Sequence, residues 1–288
     1  MVQLHTPGLV SSSDLTRYRL APNPGPMSLE GTNSYLIAAP EGEVPGEVPG
    51  EAAGVAAAET GQRPVVVVDP GPLDEEHLAA LAGAGKVELV LITHRHRDHT
   101  EASERFHQLT GAPVRAMDPD HCHGGAQLVD GEEIFAAGVA IRVIATPGHT
   151  SDSVCFLLPD DGATGSVLTG DTILGRGTTI IDYPDGRLGP YLDSLAKLSA
   201  LGPARVLPAH GPILPDLTAI SRHYLRHRGE RLDQIRAALA DIGAGATVQN
   251  VTDVVYADVD GSVRRAAEAS VAAQLDYLGV PGQTTEPG

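Results

Sequence analysis

The sequence contains no tryptophan, three phenylalanines and two cysteines in 288 residues, and only two of its twenty basic residues are lysines. Each scarcity excludes something. Two thiols, Cys122 and Cys155, do not make the disulfide framework of a small secreted scaffold. Aromatics at 3% leave few platforms on which unpaired nucleic-acid bases stack. No apolar run approaches the roughly eighteen residues needed to cross a bilayer, so no membrane span is expected. Met1 to Ser13 lacks a basic start followed by an apolar stretch. No secretory signal is therefore expected, and the reducing cytoplasm is the default compartment. Cations are short as well. The 37 acidic residues leave a formal charge of −17 and a pI near 5.0. That excludes generic, charge-driven coating of duplex nucleic acid. The arginine-rich, lysine-poor balance fits a GC-rich bacterial source, and nothing in the sequence sets the oligomeric state.

Hydrophobic residues at 42% suffice for a core. β-Branched runs with Gly, Pro and Asp boundaries predict strands over Ser34–Ala39, Val65–Val68, Glu88–Thr93, Pro113–Ala116, Val139–Ala145, Ser153–Leu158, Ser166–Leu168 and Arg205–Leu207. Helices are predicted over Asp74–Ala82, over Thr100–Leu109 with Thr100 as N-cap, and over Pro190–Leu201 with Pro190 opening it. This mixture suggests a layered α/β domain. Glu41–Pro64, with its Glu-Val-Pro-Gly repeats, reads as a flexible acidic hairpin insertion. From Ile220 the pattern turns helical, over Ser221–Leu239, Val248–Tyr256 and Gly261–Leu278. Two units follow, 1–218 and 219–288.

The 12 histidines stand out, and three lie within six residues: His94-Arg95-His96-Arg97-Asp98-His99. Crowded imidazoles and a carboxylate at the end of an apolar strand are hard to explain without a cation, and the donor types suit Zn, Fe or Mn. Three more strands end in a turn and a ligand-type residue: His149 after Thr146-Pro-Gly, Asp171 after Thr169-Gly, and His210 after Pro208-Ala. Asp69 ends another strand, and is better suited to orient a histidine than to bind metal. Cys122 lies between His121 and His123, but its Asp, Pro and Gly neighbours read as an exposed loop. Cys155, in an apolar run, reads as a small core hydrophobe.

The HxHxDH motif, followed in order by His149, Asp171 and His210, resembles the metallo-β-lactamase-fold hydrolases over roughly Gly31 to Pro212. The resemblance implies a four-layer αββα sandwich with a dinuclear site at one edge. His94, His96 and His149 would hold one metal, and Asp98, His99 and His210 the other. Asp171 would bridge them. Two divalent ions are implied, zinc being expected and iron or manganese compatible. True zinc β-lactamases lack the bridging aspartate, quorum lactonases usually carry a second aspartate where this chain has His96, and β-CASP nucleases need an inserted domain for which there is no room. The segments Thr32-Asn-Ser-Tyr-Leu-Ile, Leu174-Gly-Arg-Gly-Thr-Thr and His223-Tyr-Leu-Arg-His-Arg-Gly-Glu-Arg resemble the β-lactamase-like protein 2 group. That group ends in a winged-helix-like cap, although little chain remains after Leu278 to form a wing.

A water shared by two metals about 3.5–4 Å apart ionises near neutral pH, and Asp98 is the carboxylate placed to orient it and carry a proton. Animal members of the resembled group are similar to single-strand-selective endoribonucleases. Phosphodiester hydrolysis of single-stranded RNA is therefore the leading expectation. The arginines of 222–236, five against two acids, support it. His227, Arg226 and Arg228 are candidate anion contacts, with Tyr183 and Tyr224 shaping the pocket. The alternative is a thioester or ester hydrolase of the glyoxalase II kind acting on a small molecule. A non-catalytic metal-binding protein is the remote third reading.

Overall fold

The computed structural model describes residues 8–40, 62–258 and 261–280. Most of the expected Glu41–Pro64 insertion lies outside them. Eleven strands and seven α-helices follow in the order β1 Val10–Ser11, β2 Thr16–Leu20, β3 Asn33–Ile37, β4 Pro64–Val68, α1 Glu75–Ala82, β5 Lys86–Leu91, α2 Arg97–Thr100, α3 Ser103–Thr110, β6 Val114–Arg115, β7 Glu133–Ala136, β8 Val139–Ala145, β9 Val154–Leu158, β10 Ser166–Gly170, α4 Leu188–Ser199, β11 Arg205–Pro208, α5 Leu217–Ile242, α6 Val248–Val255 and α7 Arg264–Tyr277.

The strands form two sheets, ordered β1-β2-β3-β4-β5-β6 and β11-β10-β9-β8-β7. Alternation along each strand sorts the side chains between two faces. In β4, Val66 and Val68 point into the core between the sheets, while Val65 and Val67 pack outward against Leu78 and Leu81 of α1 and Phe106 of α3. In β5 the alternation slips at Glu88, where the pairing with β4 shifts register. The bulge releases the Glu88 carboxylate to accept the Ala137 N–H at 2.8 Å, and Leu89 and Leu91 still face inward. The second sheet turns Ile144, Cys155, Val167 and Val206 outward onto Leu188, Tyr191 and Leu195 of α4 and Leu217 and Tyr224 of α5. Helix, sheet, sheet, helix is the αββα sandwich.

Local signals explain most element ends. Asp74 caps α1 by accepting the His77 N–H at 2.8 Å. The expected Thr100–Leu109 helix is instead two. Thr100 closes α2, its hydroxyl donating back to the His96 carbonyl at 3.0 Å, and so caps nothing. Pro190 is the third residue of α4, not its first. The strands β1 and β2 are short or carry charged side chains, and no apolar run marks them, while β7 is a four-residue strand of alternating exposed and buried residues.

The C-terminal residues make α5, α6 and α7 around their own small core of Ile235, Ala238, Val248, Val251, Val271 and Leu275. Among the described residues no strand follows α5, so none of them forms the wing of the expected winged-helix-like cap. Among the described residues no helix is long and apolar enough to cross a membrane.

Candidate metal centre

Four strands, β5, β8, β10 and β11, end on one rim of the sandwich, and each delivers ligand-type residues there. The two sheets are stitched together on that rim. The Asn33 side-chain amide donates to the Pro208 and Gly211 carbonyls at 3.0 and 3.1 Å, its backbone N–H donates to Ala209, and the Val154 N–H donates to the Thr93 carbonyl at 2.8 Å. These contacts bring together residues far apart in sequence.

Two donor groups result: His94, His96, His149 and Asp171, then Asp98, His99 and His210. In the first, His96 Nδ1 lies 3.0 Å from His94 Nε2 and 3.1 Å from His149 Nε2, and Asp171 Oδ2 lies 3.7 Å from His149 Nε2. In the second, Asp98 Oδ2 lies 3.2 Å from His210 Nε2 and 3.6 Å from His99 Nε2. The other oxygen of Asp171, Oδ1, stands 3.4 Å from His210 Nε2 and 3.7 Å from His99 Nε2. The Asp171 carboxylate thus faces one group with each oxygen. Donors about 2.1 Å from an ion at tetrahedral angles stand about 3.4 Å apart, which matches this spacing.

Three of these atoms, His99 Nε2, His210 Nε2 and Asp171 Oδ1, are buried without a hydrogen-bond partner. Unpaired buried polar atoms are destabilising unless something occupies the space between them, and a divalent cation satisfies all three. The electrostatics agree. Burial opposes charge on His99, yet the carboxylates of Asp98, Asp69 and Asp171 outweigh it and push its pKa up to about 10. Burial would raise Asp98, but His99 and His210 hold its carboxyl well below the usual carboxylate range. The carboxylates of Asp98, Asp69 and Asp171 around His99 thus make the second group a place that favours a cation, and a metal bound there would displace the His99 proton. In the first group, burial lowers His94 and His149, the latter to about 4, which keeps them neutral as ligands must be.

The far side of each ring is also held. His99 Nδ1 lies 2.8 Å from Asp69 Oδ2, and Asp69 accepts the Thr93 N–H and hydroxyl at 2.8 and 2.7 Å. Asp69 adopts a left-handed φ of 53°, a conformation that Asp tolerates better than most residues. His149 Nδ1 faces the Ile180 carbonyl at 2.8 Å, and His210 Nδ1 faces the Gly31 carbonyl at 3.1 Å. His96 Nε2 lies 3.0 Å from Asp182, which with Asp185 also receives the Arg95 guanidinium. Asp182 is not legible in the sequence, because nothing near it has ligand spacing, and Thr93 and Thr179, although they lie in or beside recognisable segments, carry no sequence mark of the partners they meet.

The five candidate substrate contacts fare differently. Arg228 is 3% exposed and Tyr224 is fully buried, so neither offers surface to a substrate. Both hydrogen-bond the backbone of loop 174–179 instead. Tyr183 packs partly buried between α4, α5 and α7. His227 is half-buried and Arg226 is exposed. Cys122 donates its thiol hydrogen to the Ala116 and Asp118 carbonyls, and Cys155 is buried, its thiol pushed up to about 11 by burial. Neither belongs to a donor group.

The model of the metallo-beta-lactamase superfamily matches residues 55–210, more than half of the chain, and the chain belongs to this superfamily of metal-dependent hydrolases. Within it, the chain is 30% identical over 295 residues, 98% of its own length and 90% of the other's, to a beta-lactamase-like protein 2 homolog of Caenorhabditis elegans. It is 32% identical over 260 residues, 86% of this chain and 75% of the relative, to an atrochrysone carboxyl ACP thioesterase of Aspergillus chevalieri. A metallo-beta-lactamase family protein from Thermus thermophilus shares the fold at a TM-score of 0.69 and 22% identity, covering 98% of this chain and 96% of that one.

Proposed function

We propose that the chain is a dinuclear metallohydrolase whose substrate is an acyl thioester or ester. The observation that carries the dinuclear part is the Asp171 carboxylate, with one oxygen toward His149 and the other toward His99 and His210. Held by the two donor groups, divalent ions would supply Lewis acidity and bring a water's pKa toward about 7. Zinc is the expected ion, with iron or manganese accommodated by the same donors.

The chain's own residues supply the rest. Asp98 keeps 32% of its side chain exposed against 11% for Asp171, so Asp98 faces the mouth. It is the carboxylate positioned to take a proton from the attacking water and pass it to the leaving sulfur or oxygen. Asp69 fixes the His99 tautomer with Nε2 toward the centre. Arg95 and Asp182 border the opening on the His96 side.

Two facts support an acyl substrate over RNA. A relative covering most of this chain is named a thioesterase. Of the five arginines that give 222–236 its positive balance, Arg228 is buried, Arg231 donates to Gln234 and Val255, and Arg236 pairs with Asp233. The RNA reading keeps one favourable observation: Arg222 and Arg226 lie exposed, four apart on α5, and no carboxylate of the described residues pairs with them. The deciding experiment offers the metal-loaded protein acyl-CoA and S-acylglutathione thioesters, labelled single-stranded RNA and a p-nitrophenyl phosphodiester. Thioester turnover that disappears in Asp98→Ala supports the proposal. RNA cleavage abolished by the same substitution, without thioester turnover, overturns it in favour of RNA.

A further inference from the structure

Segment 172–186, which follows Asp171, touches three of the five histidine ligands from outside. The Gly175 N–H donates to the His210 carbonyl at 2.9 Å, and the Asp182 N–H donates to the His149 carbonyl at 3.0 Å. The Ile180 carbonyl lies 2.8 Å from His149 Nδ1, with the Thr179 hydroxyl 3.3 Å from the same nitrogen. The Asp182 carboxylate faces His96 Nε2 at 3.0 Å. This belt has no helix or strand of its own. Its backbone therefore depends on its neighbours for a fixed shape.

Those neighbours are the C-terminal helix α5 and the α4 it packs on. The Tyr224 hydroxyl accepts the Leu174 N–H at 3.1 Å and donates to the Gly177 carbonyl at 2.9 Å. Arg228 donates from Nη2 to the Thr179 carbonyl, and its guanidinium lies 5.1 Å from the centre of the Tyr191 ring. The Tyr191 hydroxyl donates to the Thr172 carbonyl at 2.8 Å.

Arg228 is the unusual member. It is 3% exposed, no carboxylate of the described residues pairs with it, and its Nε has no hydrogen-bond partner. A buried cation without an anion is destabilising, and an apolar side chain of similar length would fill the same space more favourably. Packing therefore does not account for an arginine here. A donor to the Thr179 carbonyl does.

We propose that Arg228 is the positioning residue for His149. By fixing the Thr179 carbonyl it fixes the peptide joining Thr179 to Ile180. The Thr179 hydroxyl and the Ile180 carbonyl, which flank that peptide on either side, are thereby held against His149 Nδ1. The proton then stays on Nδ1, and the Nε2 lone pair stays aimed at the first donor group. The C-terminal helices are thereby coupled to one of the two ions. The inference rests on the metal-centre reading above and is independent of the substrate.

The test uses the full-length protein loaded with Co2+ and titrated with a chelator, following ion release and the cobalt absorption spectrum. In Arg228→Met, one ion is released at about tenfold lower chelator concentration, the other is released as in wild type, and the spectrum of the weakened site changes. Arg228→Gln, which keeps a polar side chain in the same place but is too short to hold the Thr179 carbonyl, gives the same selective loss and keeps the test decisive if Arg228→Met does not fold. Arg228→Lys, which retains a donor, restores tight binding of both ions. Equal weakening of both ions, or of neither, in folded variants overturns the proposal. A wild-type protein that holds fewer than two ions overturns the metal-centre reading itself, a failure visible before any variant is compared.

Discussion

Two carboxylates near His99 do different work, and substitution separates them. Asp69 is buried, touches His99 only on the Nδ1 side, and is itself fixed by two hydrogen bonds from Thr93. Asp69→Asn should weaken the second ion about 10–100-fold while the first is retained, as chelator competition would show. Asp98 lies at the mouth, 3.2 Å from His210 Nε2. Asp98→Ala should lower kcat at least about 100-fold in the presence of excess metal. His77 offers a pH test outside the centre. It is buried, its Nε2 lies 2.9 Å from the Ser34 hydroxyl, and burial lowers its pKa to about 4. A histidine depressed in the folded state stabilises fully above its unfolded pKa near 6.5. That contribution is lost as pH falls from about 6.5 to about 4, and amounts to on the order of 3 kcal/mol. Urea midpoints at pH 7 and pH 4.5 should therefore differ less in His77→Gln than in wild type.

At the level of strands and helices, each set of candidate ligands follows the end of a strand, Asp98 and His99 in the short helix α2 beyond β5, and at His149 and Asp171 the stop is enforced by close packing. Gly148, one residue before His149, has φ 147°, and a Cβ there would lie 2.3 Å from the Tyr191 Cα of α4. Gly170, one residue before Asp171, has φ 49°, and its Cβ would lie 2.7 Å from the Thr93 Cβ. No side chain fits either place without moving a ligand loop. Gly148→Ala should destabilise the fold by at least about 2 kcal/mol, seen as a lower thermal midpoint, and should reduce metal content below two ions per chain.

Over the full chain, ions that bind only the folded protein stabilise it. Each adds about 2.7 kcal/mol when present at a hundred times its dissociation constant. A chelator should therefore lower the thermal midpoint by roughly 5–15 °C for two ions in a protein of this size, and added Zn2+ should restore it. The charge of −17 bears on partners more than on the centre. With an uncharged thioester such as an acyl-N-acetylcysteamine, kcat/KM should change less than about twofold between 50 and 300 mM salt, whereas with single-stranded RNA phosphate contacts would make it fall steeply.

The HxHxDH run and the three later strand ends carry chemistry in their residue types and order, so the layered fold and the seven candidate donors that it gathers into two groups are legible in the sequence. Short-range signals of that kind survive in one dimension because a strand end, a turn and a ligand are adjacent in the chain. The residues that hold the donors are not adjacent. Asp182 meets His96 across 86 positions and Asn33 meets Pro208 across 175, and no local pattern announces such pairs. The same distance misled the reading of α5. Its Tyr and Arg residues look like a solvent-facing substrate edge in sequence, because composition does not say which face of a helix is covered. Packing of α5 onto α4 and the 172–186 belt turns Tyr224 and Arg228 inward, where they hydrogen-bond the backbone of the belt and offer no surface to a substrate.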